Sequence, residues 1–302
     1  DGNHKWSDGT TTAKSITWVI NKIAATLTCS DKTYNGAGQT TCSCSGGTLG
    51  GTTSATDAGT YTASCTPDGN HKWSDGTTTA KSITWKMNPK SIAVTWGTTT
   101  FTYNGGAQAP SASATTGVTG ETMAVTRTTG TNAGSYTSTA SCSSVTGGRA
   151  KCSNYTLTGN TKAFSIERAS MTAPSSPSDK NYTGKEQVSG ITCPTGSTAG
   201  GMQKATNAGT YKQTCTPDGN HKWSDGTTTA KSITWVINKI AATLTCSDKT
   251  YNGAGQTTCS CSGGTLGGTT SATDAGTYTA SCTPDGNHKW SDGTTTAKSI
   301  TW

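Results

Sequence analysis

Asp57-Ala-Gly59-Thr-Tyr61-Thr-Ala63-Ser-Cys65-Thr-Pro67-Asp-Gly69-Asn-His71-Lys-Trp73-Ser-Asp75-Gly76-Thr-Thr-Thr-Ala-Lys-Ser-Ile83-Thr-Trp85 is the stretch whose reading decides the fold. Tyr61, Ala63 and Cys65 alternate with polar residues, and so do Ile83 and Trp85. Strict alternation marks half-buried strand, because successive side chains of a strand point to opposite faces. Pro67-Asp-Gly69 and Asp75-Gly76 are turn signals between the alternating runs. Helical periodicity is not seen anywhere in the chain. Short strands between regular turns predict an all-β fold of sandwich type.

Outward from this stretch the chain repeats itself. Residues 1–85 and 218–302 are identical, an offset of 217. An active site is rarely duplicated without change, whereas a stalk gains reach from each copy. Such a chain reads as a window from a longer polymer or a filament of many copies. Three anchors recur inside the super-repeat. The first is Tyr34-Asn35-Gly36, with relatives at Tyr103-Asn104-Gly105, Tyr182-Thr-Gly184 and Tyr251-Asn252-Gly253. The second is Asp57-Ala-Gly59-Thr-Tyr61, with Asn132-Ala-Gly134-Ser-Tyr136, Asn207-Ala-Gly209-Thr-Tyr211 and Asp274-Ala-Gly276-Thr-Tyr278. The third is the closing segment Trp73 to Trp85, which repeat two ends in the variant form Ala163-Phe164-Ser-Ile166. These give repeats at 19–85, 86–166 (a longer variant), 167–235 and 236–302, with 1–18 as the closing hairpin of a preceding repeat. The joins are short, as in Trp18-Val-Ile20-Asn-Lys-Ile23, and favour a stiff array over flexible beads.

Composition fits a β-rich secreted array. Hydrophobic residues are 30% and charged residues 13%, and the 9 Trp and 9 Tyr recur at fixed points in the repeats. Low charge with spaced aromatics separates this chain from classical disorder. The net charge of +7 is spread along the repeats with no Lys/Arg cluster, which argues against nucleic acid as a partner. An apolar run near eighteen residues is lacking, so no membrane span lies in this window.

Twelve cysteines at repeat-locked positions read as a disulfide framework in an oxidising compartment. Asn35-Gly36 predicts a two-residue type I′ turn that pairs Tyr34 with Ala37. Cys29 then lies opposite Cys42, at a non-hydrogen-bonded site where side chains approach closest. Cys44 is left for Cys65. Repeat three has only Cys193 and Cys215, and Cys215 matches Cys65. Cys142 and Cys152 flank Thr146-Gly147-Gly148 and are expected to close a hairpin. Repeat four copies repeat one, giving Cys246–Cys259 and Cys261–Cys282. The swapped pairing, 29–44 with 42–65, stays open. A domain of 67 residues buries a modest fraction of its surface, and each staple contributes about 2–4 kcal/mol.

Candidate chemistry is thin. The only three glutamates are Glu121, Glu167 and Glu186, and no glycosidase pair can be drawn from them. Cys42-Ser-Cys44 has C-x-C spacing, unlike a zinc site. The aspartates sit in turns, without the D-x-D-x-D-G run of a calcium loop. His71 reads as exposed and inert. No cofactor or catalytic residue is expected. Trp85 reads as core. Trp73, Trp223 and Trp290 sit by a turn, where they would pack at a junction between repeats or stack on a sugar ligand.

The Tyr-Asn-Gly turn, the Asx-Ala-Gly-Thr-Tyr segment and the Lys72-Trp-Ser-Asp-Gly-Thr-Thr-Thr-Ala-Lys-Ser-Ile-Thr-Trp85 ending together resemble the MBG-type, immunoglobulin-like repeats of large bacterial surface and adhesin-like proteins. The resemblance spans nearly the whole chain, though repeat two is longer and lacks the Trp-Ser-Asp-Gly hairpin. It implies tandem immunoglobulin-like sandwiches, disulfide-stapled here, in a rod or filament with no enzymatic role. The cysteine content departs from the family's usual pattern. The Asp57–Tyr61 segment also resembles the tyrosine corner of immunoglobulin domains; an ordinary turn before an edge strand is the other reading.

The function expected is that of an extracellular, cell-surface structural protein, a stalk, fibre or filament. Its partners would be neighbouring repeats or copies of itself. The alternative is an adhesin whose repeats bind glycan or a host surface protein. A third reading is an accessory region borne by an enzyme whose catalytic domain lies outside this window.

Overall fold

The computed structural model describes residues 2–148 and 151–302. It is all-β, 49% strand and 1% helix, with a single three-residue 3-10 turn at Cys152–Asn154 among the described residues. The chain divides into two compact bodies. One comprises Asp1–Thr99, Ala109–Thr129 and Tyr136–Phe164; the other comprises Thr100–Gln108, Gly130–Ser135 and Ser165–Trp302. The division therefore runs through repeat two.

In the first body, repeat one contains β1 (Ile23–Ala24), β2 (Thr26–Cys29), β3 (Lys32–Thr33), β4 (Gln39–Thr40), β5 (Cys42–Ser45), β6 (Gly47–Gly51), β7 (Ser54–Ala55), β8 (Gly59–Pro67), β9 (His71–Lys72) and β10 (Lys81–Asn88). A four-stranded sheet runs in the order β3-β10-β8-β6, and β2 pairs with β5, β4 with β7 and β1 with β9. The period-two pattern explains the core. Ala63 and Cys65 on β8 and Trp85 and Met87 on β10 all point inward and are buried. Trp85 lies opposite Tyr61 in the register, with ring centroids 5.0 Å apart. Burial of a side chain such as Met87 contributes about 1.5–3 kcal/mol. Because β10 runs on to Asn88, the last strand of the repeat continues past Trp85.

The register at β2 and β5 is the expected one: Cys29 lies opposite Cys42 and Leu27 opposite Cys44. The turn is different. A type I′ turn needs positive φ at both central residues, but Gly36 is at φ 85° and no non-glycine residue among those described has positive φ. The Asn35 side chain accepts a hydrogen bond from the Ala37 amide at 3.0 Å, holding an Asx-type turn. The hairpin does not zip to its tip either, since β3 leaves to join β10 in parallel.

Repeat two supplies Thr122–Arg127, antiparallel to the end of Gly134–Thr146, and Lys90–Ala93, parallel to Tyr155–Thr158. The hairpin expected around Thr146-Gly147-Gly148 is not formed as a strand pair. Tyr155–Thr158 pairs with Lys90–Ala93, and Cys152 sits in the 3-10 turn. Arg149 and Ala150 of that loop lie outside the described residues. Residues 2–18 form no strand. They keep the Trp turn, in which Trp6 Nε1 donates to the Thr12 carbonyl, but Trp6, Trp18 and Ile20 are exposed.

In the second body, repeat three repeats the sheet order of repeat one: Lys180–Asn181, Lys231–Asn238, Gly209–Pro217, Ser197–Gly201. Buried Gln213 occupies the place of Ala63, bonding to Ser189 and to the Ile191 carbonyl. Repeat four forms a three-stranded sheet from Gly264–Gly268, Thr279–Pro284 and Lys298–Thr301.

Candidate functional site

All twelve cysteines are paired, as Cys29–Cys42, Cys44–Cys65, Cys142–Cys152, Cys193–Cys215, Cys246–Cys259 and Cys261–Cys282. These are the pairs that the register argument gives, and the swapped pairing is not the one formed. The Cα atoms of Cys29 and Cys42 are 4.1 Å apart, the close spacing of a non-hydrogen-bonded cross-strand pair.

The tryptophans weighed as junction or ligand-stacking aromatics are core residues of their own repeats. Trp73 is buried with Ala25 and Cys65, against Leu27 and Cys44. Trp223 and Trp290 occupy the same place beside Cys215 and Cys282. The Trp-Ser-Asp-Gly turn folds the indole under itself: Trp73 Nε1 donates to the Thr79 carbonyl at 2.7 Å, and Gly76 N–H donates to the Trp73 carbonyl. Lys81 bonds the Asp75 carboxylate at 2.5 Å, which with Thr77 holds that carboxyl below its usual range.

His71 is not an idle surface group. Its Nδ1 lies 2.6 Å from Asp68 Oδ1 and holds that carboxyl below its usual range. Its ring covers Gly46, where a Cβ would lie 2.2 Å from the imidazole and φ is +77°. Only glycine fits both conditions.

The groups that recur most closely lie where one repeat meets the next. The Asx-Ala-Gly turn presents a backbone amide, and the following repeat supplies an asparagine to accept from it. Ala58 N–H donates to Asn154 Oδ1 at 2.8 Å, Ala133 N–H to Asn220 Oδ1 at 2.8 Å, and Ala208 N–H to Asn287 Oδ1 at 2.7 Å. The next residue of each edge meets the tyrosine of the Tyr-x-Gly turn edge-on. Tyr34 meets Tyr155 with centroids 5.3 Å apart, Tyr103 meets His221 at 5.3 Å, and Tyr182 meets His288 at 5.6 Å. Edge-to-face geometry suits the ring quadrupoles.

The amide is pre-positioned by the tyrosine that follows it. Tyr61 OH donates to the Asp57 carbonyl at 2.7 Å, Tyr211 OH to Asn207 at 2.6 Å and Tyr278 OH to Asp274 at 2.8 Å. In each case the hydroxyl ties back to the backbone carbonyl four residues upstream. The bond thus fixes the peptide whose N–H the next repeat uses at Ala58 and Ala208.

The first of the three joints carries extra charge chemistry. Asp57 accepts from Lys151 Nζ at 2.7 Å and from Asn154 Nδ2 at 3.0 Å. Glu121 accepts from Tyr34 OH and Tyr155 OH, each at 2.5 Å. Burial, then the bond to Glu121 and its charge, pushes the Tyr34 hydroxyl up to about 12 and raises that of Tyr155 in the same way. Asn154 begins the sequon Asn-Tyr-Thr, yet its side chain is buried in the joint and already bonded.

No family model matches the chain, and no curated protein matches it.

Proposed function

We propose that this chain is a structural extracellular repeat protein forming a stalk, fibre or filament on a bacterial surface, built of tandem immunoglobulin-like sandwiches of the MBG type in a rod-like array. The observation that carries this reading is the joint: the same asparagine-to-amide bond and edge-on aromatic pair form three times. A contact repeated between successive equivalent units without closure builds a linear or helical assembly. The complete pairing of the cysteines suits an oxidising, extracellular compartment. The shared sheet order of repeats one and three and the tyrosine-corner bond support the immunoglobulin-like reading. The adhesin alternative relied on exposed aromatics, and the burial of Trp73, Trp223 and Trp290 removes that platform.

Electron microscopy of the isolated chain tests the proposal. The expected particle is elongated, with roughly 20–33 Å of strand per repeat if strands of about 6–10 residues lie along its axis. Compact globules or beads at random angles would overturn it. Selective retention on a glycan array would favour the adhesin instead.

A further inference from the structure

Repeat three departs from the other repeats at one turn. The first anchor reads Thr33-Tyr34-Asn35, Thr102-Tyr103-Asn104 and Thr250-Tyr251-Asn252, but Asn181-Tyr182-Thr183 in repeat three. The asparagine and the threonine have changed places. The positions are equivalent in the fold as well. The carbonyls of Thr33, Thr102, Asn181 and Thr250 each accept from a glutamine amide, supplied by Gln39, Gln108, Gln187 and Gln256 at 2.9–3.1 Å. The exchange runs against local preference twice. Asparagine is poorer than threonine in a strand, and Lys180–Asn181 is the end strand of its four-stranded sheet. Threonine is the weaker turn residue. Asn35, Asn104 and Asn252 each accept from the amide two residues on at 2.9–3.0 Å, whereas Thr183 Oγ1 lies 3.4 Å from the Lys185 amide nitrogen.

What the exchange creates is Asn-x-Thr, the acceptor sequence for asparagine-linked sugar, on an open surface. Asn181 and Thr183 are exposed. Among the described residues no hydrogen bond engages the Asn181 carboxamide. Tyr182 between them turns the other way, its ring edge-on to His288 in the joint, as alternation in an extended chain requires. A sugar on Asn181 therefore leaves the joint intact. The second such sequence, Asn154-Tyr155-Thr156, is the opposite case. Asn154 is 0% exposed, its Oδ1 accepts from the Ala58 amide and its Nδ2 donates to Asp57. Its carboxamide nitrogen has no room for a sugar while the joint is formed.

We propose that Asn181 is an acceptor site for asparagine-linked glycosylation of the folded chain, and that Asn154 is not. The carboxamide nitrogen of Asn181 forms a bond to the anomeric carbon of a sugar carried on a lipid diphosphate. The bond from that carbon to the diphosphate oxygen breaks. The diphosphate leaves with the electron pair, and the amide proton passes to a basic group of the transferase. Thr183 supplies the hydroxyl that the transferase reads. The glycan sits on the outermost strand of a sheet, where its bulk hinders a second chain from adding a strand. The inference goes beyond the structural role proposed above. It shares with that role only an exported chain, and a bare Asn181 leaves the joints untouched.

The test is sugar transfer to the full chain. The oxidised, folded chain is incubated with an oligosaccharyltransferase that reads Asn-x-Ser/Thr alone and with an N-acetylhexosamine lipid diphosphate. Glycopeptides are then mapped by mass spectrometry. The reduced, unfolded chain is the control in which both sequences are accessible. The folded chain is expected to take sugar at Asn181 alone, and the unfolded chain at Asn181 and Asn154. Thr183→Asn, which gives the turn its usual asparagine, should abolish transfer at position 181 in both states, so the result does not rest on how the variant folds. Thr183→Ser should keep it. No transfer to Asn181 in either state, transfer to it only in the unfolded chain, or transfer that survives Thr183→Asn overturns the proposal. Sugar at Asn154 of the folded chain overturns it as well.

Discussion

Repeats one and four are one sequence folded in two settings, and they agree around Ala63 and Trp73 and differ where they meet neighbours. Ala63 and Ala280 are both fully buried, Trp73 and Trp290 are equally buried, and both copies hold the same two disulfides. The difference lies at the two ends, where a repeat meets its neighbours: Ile20 and Ile23 are exposed while Ile237 is buried and Ile240 half-buried, and the end that receives a following repeat differs too. There Lys32–Thr33 forms a strand and 249–250 does not, and the long strand Gly59–Pro67 begins later in its copy, at Thr279. The interior is thus specified within each repeat, while the joint face takes its order from the neighbour. Repeat arrays behave in this nearest-neighbour way.

The largest effect should come from the shared interior and should be equal in both copies. Trp73→Ala and Trp290→Ala are each expected to cost about 3–5 kcal/mol, the range for truncating a large buried aromatic. Hydrogen exchange of the core amides of each repeat measures it, and unequal costs would break the comparison. Removing Cys44–Cys65 or Cys261–Cys282, by changing both partners to alanine, should cost about 2–4 kcal/mol in either repeat, read in the same way. Asymmetry is expected next. Tyr34→Phe loses a bond to the charged Glu121 and should weaken repeat one by about 1.5–3 kcal/mol, whereas Tyr251→Phe should change unfolding little.

The smallest effect is a pH dependence. The Tyr34 hydroxyl is raised in the folded chain to about 12, so folding favours its protonated form. That contribution is fully present below the usual tyrosine value near 10. It is lost as pH rises from there through about 12. Hydrogen exchange or circular dichroism across this window should show the first body loosening, and Tyr34→Phe should flatten the response. A response unchanged by that substitution would remove Tyr34 as its cause.

Much of this was legible in the sequence for reasons that can be named. Alternation at Tyr61, Ala63 and Cys65 gave the inward face of β8, and the centre of symmetry at Asn35-Gly36 gave the Cys29–Cys42 register. The turn type was not legible, because the Asn35 side chain can satisfy the turn without positive φ. The pairing of Cys142 with Cys152 was readable from symmetry, but not that Tyr155–Thr158 would prefer Lys90–Ala93 as its neighbour. Trp73 was misplaced because a turn-flanking tryptophan looks exposed, and the Nε1 bond to Thr79 that folds it inward leaves no periodic mark. The joint was missed although its signal was present. Asn154-Tyr155, Asn220-His221 and Asn287-His288 are Asn-aromatic pairs that recur in successive repeats.

Hydrogen exchange at four equivalent amides tests the joint most directly. Ala58, Ala133 and Ala208 each donate to an asparagine of the next repeat, and Ala275 is the exposed fourth copy. The account predicts slow exchange at the first three and fast exchange at Ala275, with Asn154→Ala releasing Ala58 alone. Four amides exchanging at one rate, or Ala58 unmoved by Asn154→Ala, would contradict it.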